Sequence, residues 1–166
     1  MAQETDNLKL EEVFQEDQKD RELVYDSPEA VQRLKDHDAA RRKRVYVMME
    51  LGEVQTMRDL YHAAVILQHG DAPADFLTAH RLATVAAIMG HKTARWLLAA
   101  TLDRYLMAVG QPQVYGTQFE YNAPETRYQL RLPILESVFL DFEKTMLGVP
   151  SVSDRLKQLN SRSANR

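Results

Sequence analysis

The sequence predicts a mainly α-helical domain of about five to seven helices, arranged as antiparallel hairpins, with one small β-hairpin. Three observations predict it. Segments near 57–69, 74–89 and 93–109 are apolar almost all the way round, as in "HAAVIL", "ATVAAIMG" and "ARWLLAATLDRYLMAV", and helices with no polar face belong in the middle of a domain. Gly70-Asp71-Ala72-Pro73, Gly90 and Gly110-Gln111-Pro112 punctuate them, and connections this short make successive helices antiparallel neighbours. After Gln118 the period changes to alternation, with Phe119 and Tyr121, then Tyr128, Leu130 and Leu132, on either side of the turn Asn122-Ala123-Pro124-Glu125; that is the pattern of a hairpin.

Taken in order, a first amphipathic helix runs from about Asp6 to Leu23, with Leu8, Leu10, Val13 and Phe14 as its apolar positions and acids on its surface. Ser27-Pro28-Glu29 starts the second, placing an N-cap hydroxyl, a proline at the first helical position and an acid on the positive end of the dipole. It runs to about Leu51, where Gly52 ends it. The three apolar helices and the hairpin follow. A further helix is expected from about Leu135 to Leu147, stopped by Gly148-Val149-Pro150, then a short one over Ser151 to Leu159, with a disordered tail from Ser161. Residues 1–160 form one domain, since 166 residues with 45% hydrophobic and 27% charged side chains suffice for one ordinary core.

Composition excludes several functions. There is no cysteine, hence no disulfide, thiolate catalysis or cysteine-based metal site. The net charge of −3 gives no global support to nucleic-acid binding. No apolar run is long enough for a membrane span. The opening Met1-Ala2-Gln3-Glu4 fits a cytoplasmic protein, and equally an exported one whose leader has been replaced by an initiating Met. Nothing calls for a cofactor, and a Gly-rich phosphate loop and a Gly-x-Ser-x-Gly elbow are both absent. The oligomeric state is left open.

Polar residues interrupt the apolar helices in one region. At about 100° per residue, Asp103 shares a face with Trp96, Ala99, Ala100 and Met107. A carboxylate there is expected to be buried and to need a counter-charge or several donors. Arg104 points a quarter-turn away, toward another partner. The preceding Gln68-His69 and Asp71 sit at the end of the first apolar helix. Gly110 and Pro112 turn the chain back over these ends, so that Tyr115-Gly116-Thr117-Gln118 can supply hydroxyl, amide and backbone groups to one polar cluster.

This identifies candidate catalytic residues, His69 and Asp103, and candidate ligand-binding residues, Gln68, Asp71, Arg104, Gln113, Tyr115, Thr117 and Gln118. In the structural reading, the one preferred from spacing, Asp103 anchors the loop and His69 complements a helix dipole. In the functional reading the domain binds a small molecule or peptide. Alternatively it is an enzyme of hydrolase- or lyase-like acid–base chemistry, with His69 as general base and Asp103 orienting it or binding substrate.

At these residues the chain resembles an uncharacterised bacterial family, a domain of unknown function whose pattern is Gln-His-x-Asp, then Asp-Arg, then Gly-x-x-Gln-x-Tyr-Gly-Thr-Gln. Here these are Gln68 to Asp71, Asp103-Arg104 and Gly110 to Gln118; Asp17-Gln18 with Arg21, and Asp141, Lys144 and Gly148-Val149-Pro150, resemble its terminal elements. Gly52-Glu53-Val54 departs from the Gly-Trp-Pro often found there. The resemblance implies where a site lies, not an activity. More weakly, "TAHRLATVAAIMGHKTARWLLA" is similar to tetratricopeptide-type repeats through Ala83, Ala87, Gly90-His91 and Ala94. About one and a half units are present where a solenoid needs three or so, so the likeness implies hairpin packing.

Two other features are read as incidental. Arg41-Arg42-Lys43-Arg44, with Asp36 and Asp38 upstream, is expected to be a solvated helix face. His62 and His69 lie seven residues apart, two turns along one face. Without a clear third ligand they make a weak metal pattern, so no metal is expected.

Overall fold

Asn7, Ser27 and Thr56 each turn a side-chain oxygen onto the backbone N–H groups that follow, and so set where three helices begin. The computed structural model describes residues 5–135 and 141–163. Its helices are α1 (Leu8–Glu22), α2 (Pro28–Glu50), α3 (Met57–Leu67), α4 (Pro73–Ile88), α5 (Lys92–Ala108), α6 (Asp141–Leu147) and α7 (Val152–Ser163). Strands β1 (Phe119–Asn122) and β2 (Arg127–Leu130) pair antiparallel between α5 and α6. The domain is thus mainly helical with one small hairpin, as expected.

Helix ends follow the sequence punctuation. At the end of α2 the Gly52 N–H donates to Met49 and the Glu53 N–H to Met48, with Gly52 at φ +70°, the arrangement that closes orphan carbonyls with a left-handed residue. The same pair of bonds ends α4, α5 and α6. Pro73 opens α4, and Asp75 accepts from the Ala72 N–H.

Helix α3 is the axis of the core. Ala63 to Leu67 are all buried, and α1, α2, α4 and α5 pack around them. Leu10 and Val13 of α1, Val45 and Met48 of α2 and Ala79 of α4 meet Ile66 and Leu67; Ala83 and Leu97 meet Ala64 and Val65. Each fully buried leucine or isoleucine stabilises by roughly 1.5–3 kcal/mol, and the alanines on α3, α4 and α5 let the helix axes approach. In the hairpin, Phe119 faces Leu130 and Tyr121 faces Tyr128. Helix α7 docks on β2 through Asn160, whose amide accepts from the Tyr128 N–H and donates to the Tyr128 carbonyl.

Several expectations change. Leu8 is 75% exposed and not part of the apolar face of α1, because two residues turn an α-helix by about 200°, which puts Leu8 on the side away from buried Leu10. Helix α4 exposes Leu77, Val85, Ile88 and Met89, since α3 and α5 cover only its inner side. Leu135 is not helical: its N–H bonds to the Gln113 carbonyl, and the described part of the following helix begins at Asp141. The expected helical residues 136–140 lie outside the described residues. The tail is helical through Ser163, not disordered from Ser161, since Asn160 ties this last turn to β2. Residues 164–166 lie outside the described residues.

Candidate functional site

Asp103, on α5, is completely buried, and four donors meet its carboxylate. Val114 N–H (2.6 Å) and Tyr115 N–H (2.8 Å) donate to Oδ1; Thr117 N–H (2.9 Å) and the Thr117 hydroxyl (2.7 Å) donate to Oδ2. The loop can wrap the carboxylate because Gly116 adopts φ +71°, and a Cβ there would lie 3.0 Å from Val152 Cγ2 and 3.1 Å from Ile134 Cδ1. Gln113, also fully buried, closes the loop from the inside. Its Oε1 accepts from the Gln118 N–H (2.9 Å), and its Nε2 donates to the Gln118 and Arg131 carbonyls.

Gln118 carries the network onward. Its Nε2 donates to the Ala100 carbonyl (2.9 Å) and to Thr117 Oγ1 (3.0 Å), while its Oε1 accepts from Arg104 Nε (3.2 Å). Arg104 Nη1 then donates to the Gln68 carbonyl at 2.5 Å, and its guanidinium lies over the Phe76 ring, 5.9 Å from the centroid. Asp103, Thr117, Gln118, Arg104 and Gln68 therefore form one hydrogen-bonded chain. Gln68 joins it through its backbone carbonyl.

Arg104 has no carboxylate within ion-pair distance among the described residues. Burial lowers its pKa, and so do the positive charges of Arg21 and Arg131. Beside it opens a cleft of about 420 Å³, lined by Phe76, Arg104, Met107, Gln118, Phe119 and Arg131.

His69 belongs to a second network. Its Nε2 stands 3.7 Å from Oδ2 of Asp17, a fully buried carboxylate on α1. Arg21 bonds Asp17 (3.0 Å) and Asp38 (2.5 Å), and Arg41 bonds Asp20 and Asp38 (both 2.6 Å). Burial raises the Asp17 carboxyl above its ordinary value, against the pull of Arg21 and Arg41. Burial also holds the His69 imidazole well below its ordinary 6.5, reinforced by Arg21, Arg104, Arg41 and Arg42. Burial thus disfavours the charged form of both groups, and the contact is not a simple ion pair.

The structure thus separates the two residues paired from the sequence. The carboxylate beside His69 is Asp17, and Asp103 has both oxygens committed to the loop. Asp71 stands apart as well: it is exposed and bonds Arg42 (2.7 Å), which also donates to the His69 carbonyl. The basic run is not a uniformly solvated face, because Arg41 is 5% exposed and Arg42 is half-buried, each against acids. Lys43 and Arg44 are exposed.

Sequence reasoning missed Asp38, Arg41, Phe76 and Arg131. Asp38 and Arg41 carried a signal, an i,i+3 charge pair on the face that α2 turns to Asp17 and Arg21. Arg131 carried almost none beyond its place opposite Leu130 and Leu132 in the alternation.

The other histidines have local partners. His62 stacks on Phe14, His91 caps α5 and stacks on Tyr61, and His80 donates from Nδ1 to the Leu98 carbonyl. Among the described residues no group of three or more His, Asp or Glu could hold a metal ion, and no helix is long and apolar enough to cross a membrane. Comparison with protein-family models, with curated proteins and with solved structures finds no match to this chain.

Proposed function

We propose that this chain is a binding domain whose ligand occupies the cleft between α4, α5 and the Tyr115–Gln118 loop. The observation that carries the reading is the loop's anchorage. Four donors on Asp103 and the buried Gln113 amide hold Gln118 and Arg104 in fixed positions at the rim of an open cleft of about 420 Å³. Preformed concave sites of a few hundred Å³ with a few fixed polar groups are what small-molecule recognition uses, and side chains already immobilised lose little entropy on binding. Of the residues singled out from the sequence, Arg104 and Gln118 line the cleft, and Asp103, Gln113 and Thr117 hold them from behind.

A thermal-shift screen of a chemically diverse library tests it, because any ligand of the folded state raises the melting temperature by mass action. Ala108→Trp, at the exposed edge of the cleft, should abolish the shift of each hit. A library without hits, or hits indifferent to Ala108→Trp, overturns the reading.

A second reading, an acid–base enzyme of hydrolase- or lyase-like chemistry, is favoured by one observation: the neutral, partly exposed His69 imidazole backed by buried Asp17. His69 would accept the proton, with Asp17 rather than Asp103 behind it. A compound converted by wild type, but bound and unconverted by His69→Gln, supports this reading; binding without conversion by either protein refutes it.

A further inference from the structure

We infer that the cleft takes a small organic anion, with a carboxylate or phosphate group seated between Arg104 and Arg131 and an apolar body against Phe76 and Met107. The inference rests on the binding reading above and names its ligand class.

Charge placement is the first argument. Arg21, Arg41 and Arg42 each have a carboxylate within 4 Å. Arg104 has only neutral partners, the Gln118 and Gln68 oxygens, and Arg131 makes no side-chain hydrogen bond or ion pair among the described residues. Two guanidiniums therefore line one cleft with no carboxylate in ion-pair distance of either among the described residues. Positive charge that is desolvated and lacks a counter-ion is unfavourable, as at Arg104; an anion bound beside it lowers that cost, and exposed Arg131 adds attraction.

Geometry is the second argument. Nε and Nη1 of Arg104 are held by Gln118 and Gln68, so Nη2 is pre-oriented, and it makes no hydrogen bond among the described residues. A guanidinium offers paired N–H groups that match carboxylate and phosphate oxygens. Arg131, exposed at the far side, can close on the anion from above.

Size and surroundings give the third. A cleft of about 420 Å³ suits a small molecule, and Phe76 and Met107 offer it an apolar wall. Two arginines in a chain of net charge −3 do not make the basic stripe a polyanion requires.

The test is calorimetric titration of the whole chain with benzoate, phenyl phosphate, inorganic phosphate and benzamide, the neutral counterpart of benzoate. Benzoate or phenyl phosphate should bind, more weakly as salt rises. Inorganic phosphate, lacking the apolar body, should bind less well than phenyl phosphate. Arg131→Gln, at an exposed position, should preserve the melting temperature and weaken binding by roughly tenfold or more, the worth of a charge-assisted bond. Arg104→Gln should weaken binding at least as much while lowering the melting temperature through its lost bonds to Gln118 and Gln68, with circular dichroism confirming that the helices remain. Benzamide binding as tightly as benzoate, or affinity unchanged in Arg131→Gln, overturns the inference. If benzamide binds and Ala108→Trp blocks it, the anion falls and the binding reading stands; if the screen also finds no ligand of any kind, both fall.

Discussion

Replacing Asp103 with alanine should be among the costliest single changes in this protein. The substitution removes the acceptor of three backbone N–H groups and one hydroxyl, all within 2.9 Å of the carboxylate. At about 1 kcal/mol each, the low end for an unsatisfied buried donor, four donors give about 4 kcal/mol. Water entering the half-buried loop and relief of a buried charge return part of this, leaving roughly 2–4 kcal/mol. Urea unfolding followed by far-ultraviolet circular dichroism reads the loss. With a slope of about 2 kcal/mol per molar, the midpoint should fall by roughly 1–2 M at unchanged slope. Asp103→Asn separates charge from shape. It keeps one oxygen for Val114 and Tyr115 and sets an amide NH₂ against the Thr117 N–H, so it should lose about half as much. A loss below about 1 kcal/mol for the alanine variant would refute the claim that Asp103 holds the loop.

Gly116→Ala should cost about 2–3 kcal/mol, combining a left-handed backbone with contacts to Val152 and Ile134, whereas Gly52→Ala, with nothing near its Cβ, should cost about 1; equal losses in thermal melts would show that those side chains move aside freely. Arg41→Ala should destabilise by about 3–5 kcal/mol, because Asp17, Asp20 and Asp38 are left with too little positive charge, while Arg44→Ala, which breaks an exposed pair with Glu16, should cost under about 1 in the same chemical denaturation. Stability should fall as pH drops below the ordinary histidine value of 6.5, since the unfolded chain then takes up a proton that folded His69 resists. His62 and His91, also lowered by burial, act in the same direction. His69→Gln should flatten the dependence between about pH 5 and 7, and an unchanged slope would mean that His69 titrates normally in the fold.

Which parts of this could be read from the sequence follows from the range of the forces involved. Helix starts at Ser27-Pro28, stops at Gly52, Gly90 and Gly110, and the alternation from Phe119 to Leu130 are local: each depends on backbone geometry within one turn, so the residues themselves determined them. Asp103 was legible for a related reason, because a carboxylate inside an apolar helix with a polar loop a few residues downstream must find its donors nearby. Arg104's bond to the Gln68 carbonyl, 36 residues away, was approachable only because Gln68 closes an adjacent helix. His69 was different. Its partner lies on α1, and which side of α3 that helix covers depends on how Leu10 and Val13 pack against Ile66 and Leu67, a choice no local pattern encodes. The same packing buried Arg41 and Asp38, whose charges along the chain look like those of any solvated helix. The cleft belongs wholly to the tertiary structure, since Phe76, Arg104 and Arg131 come from three separate segments and meet only when α4, α5 and the hairpin edge are assembled.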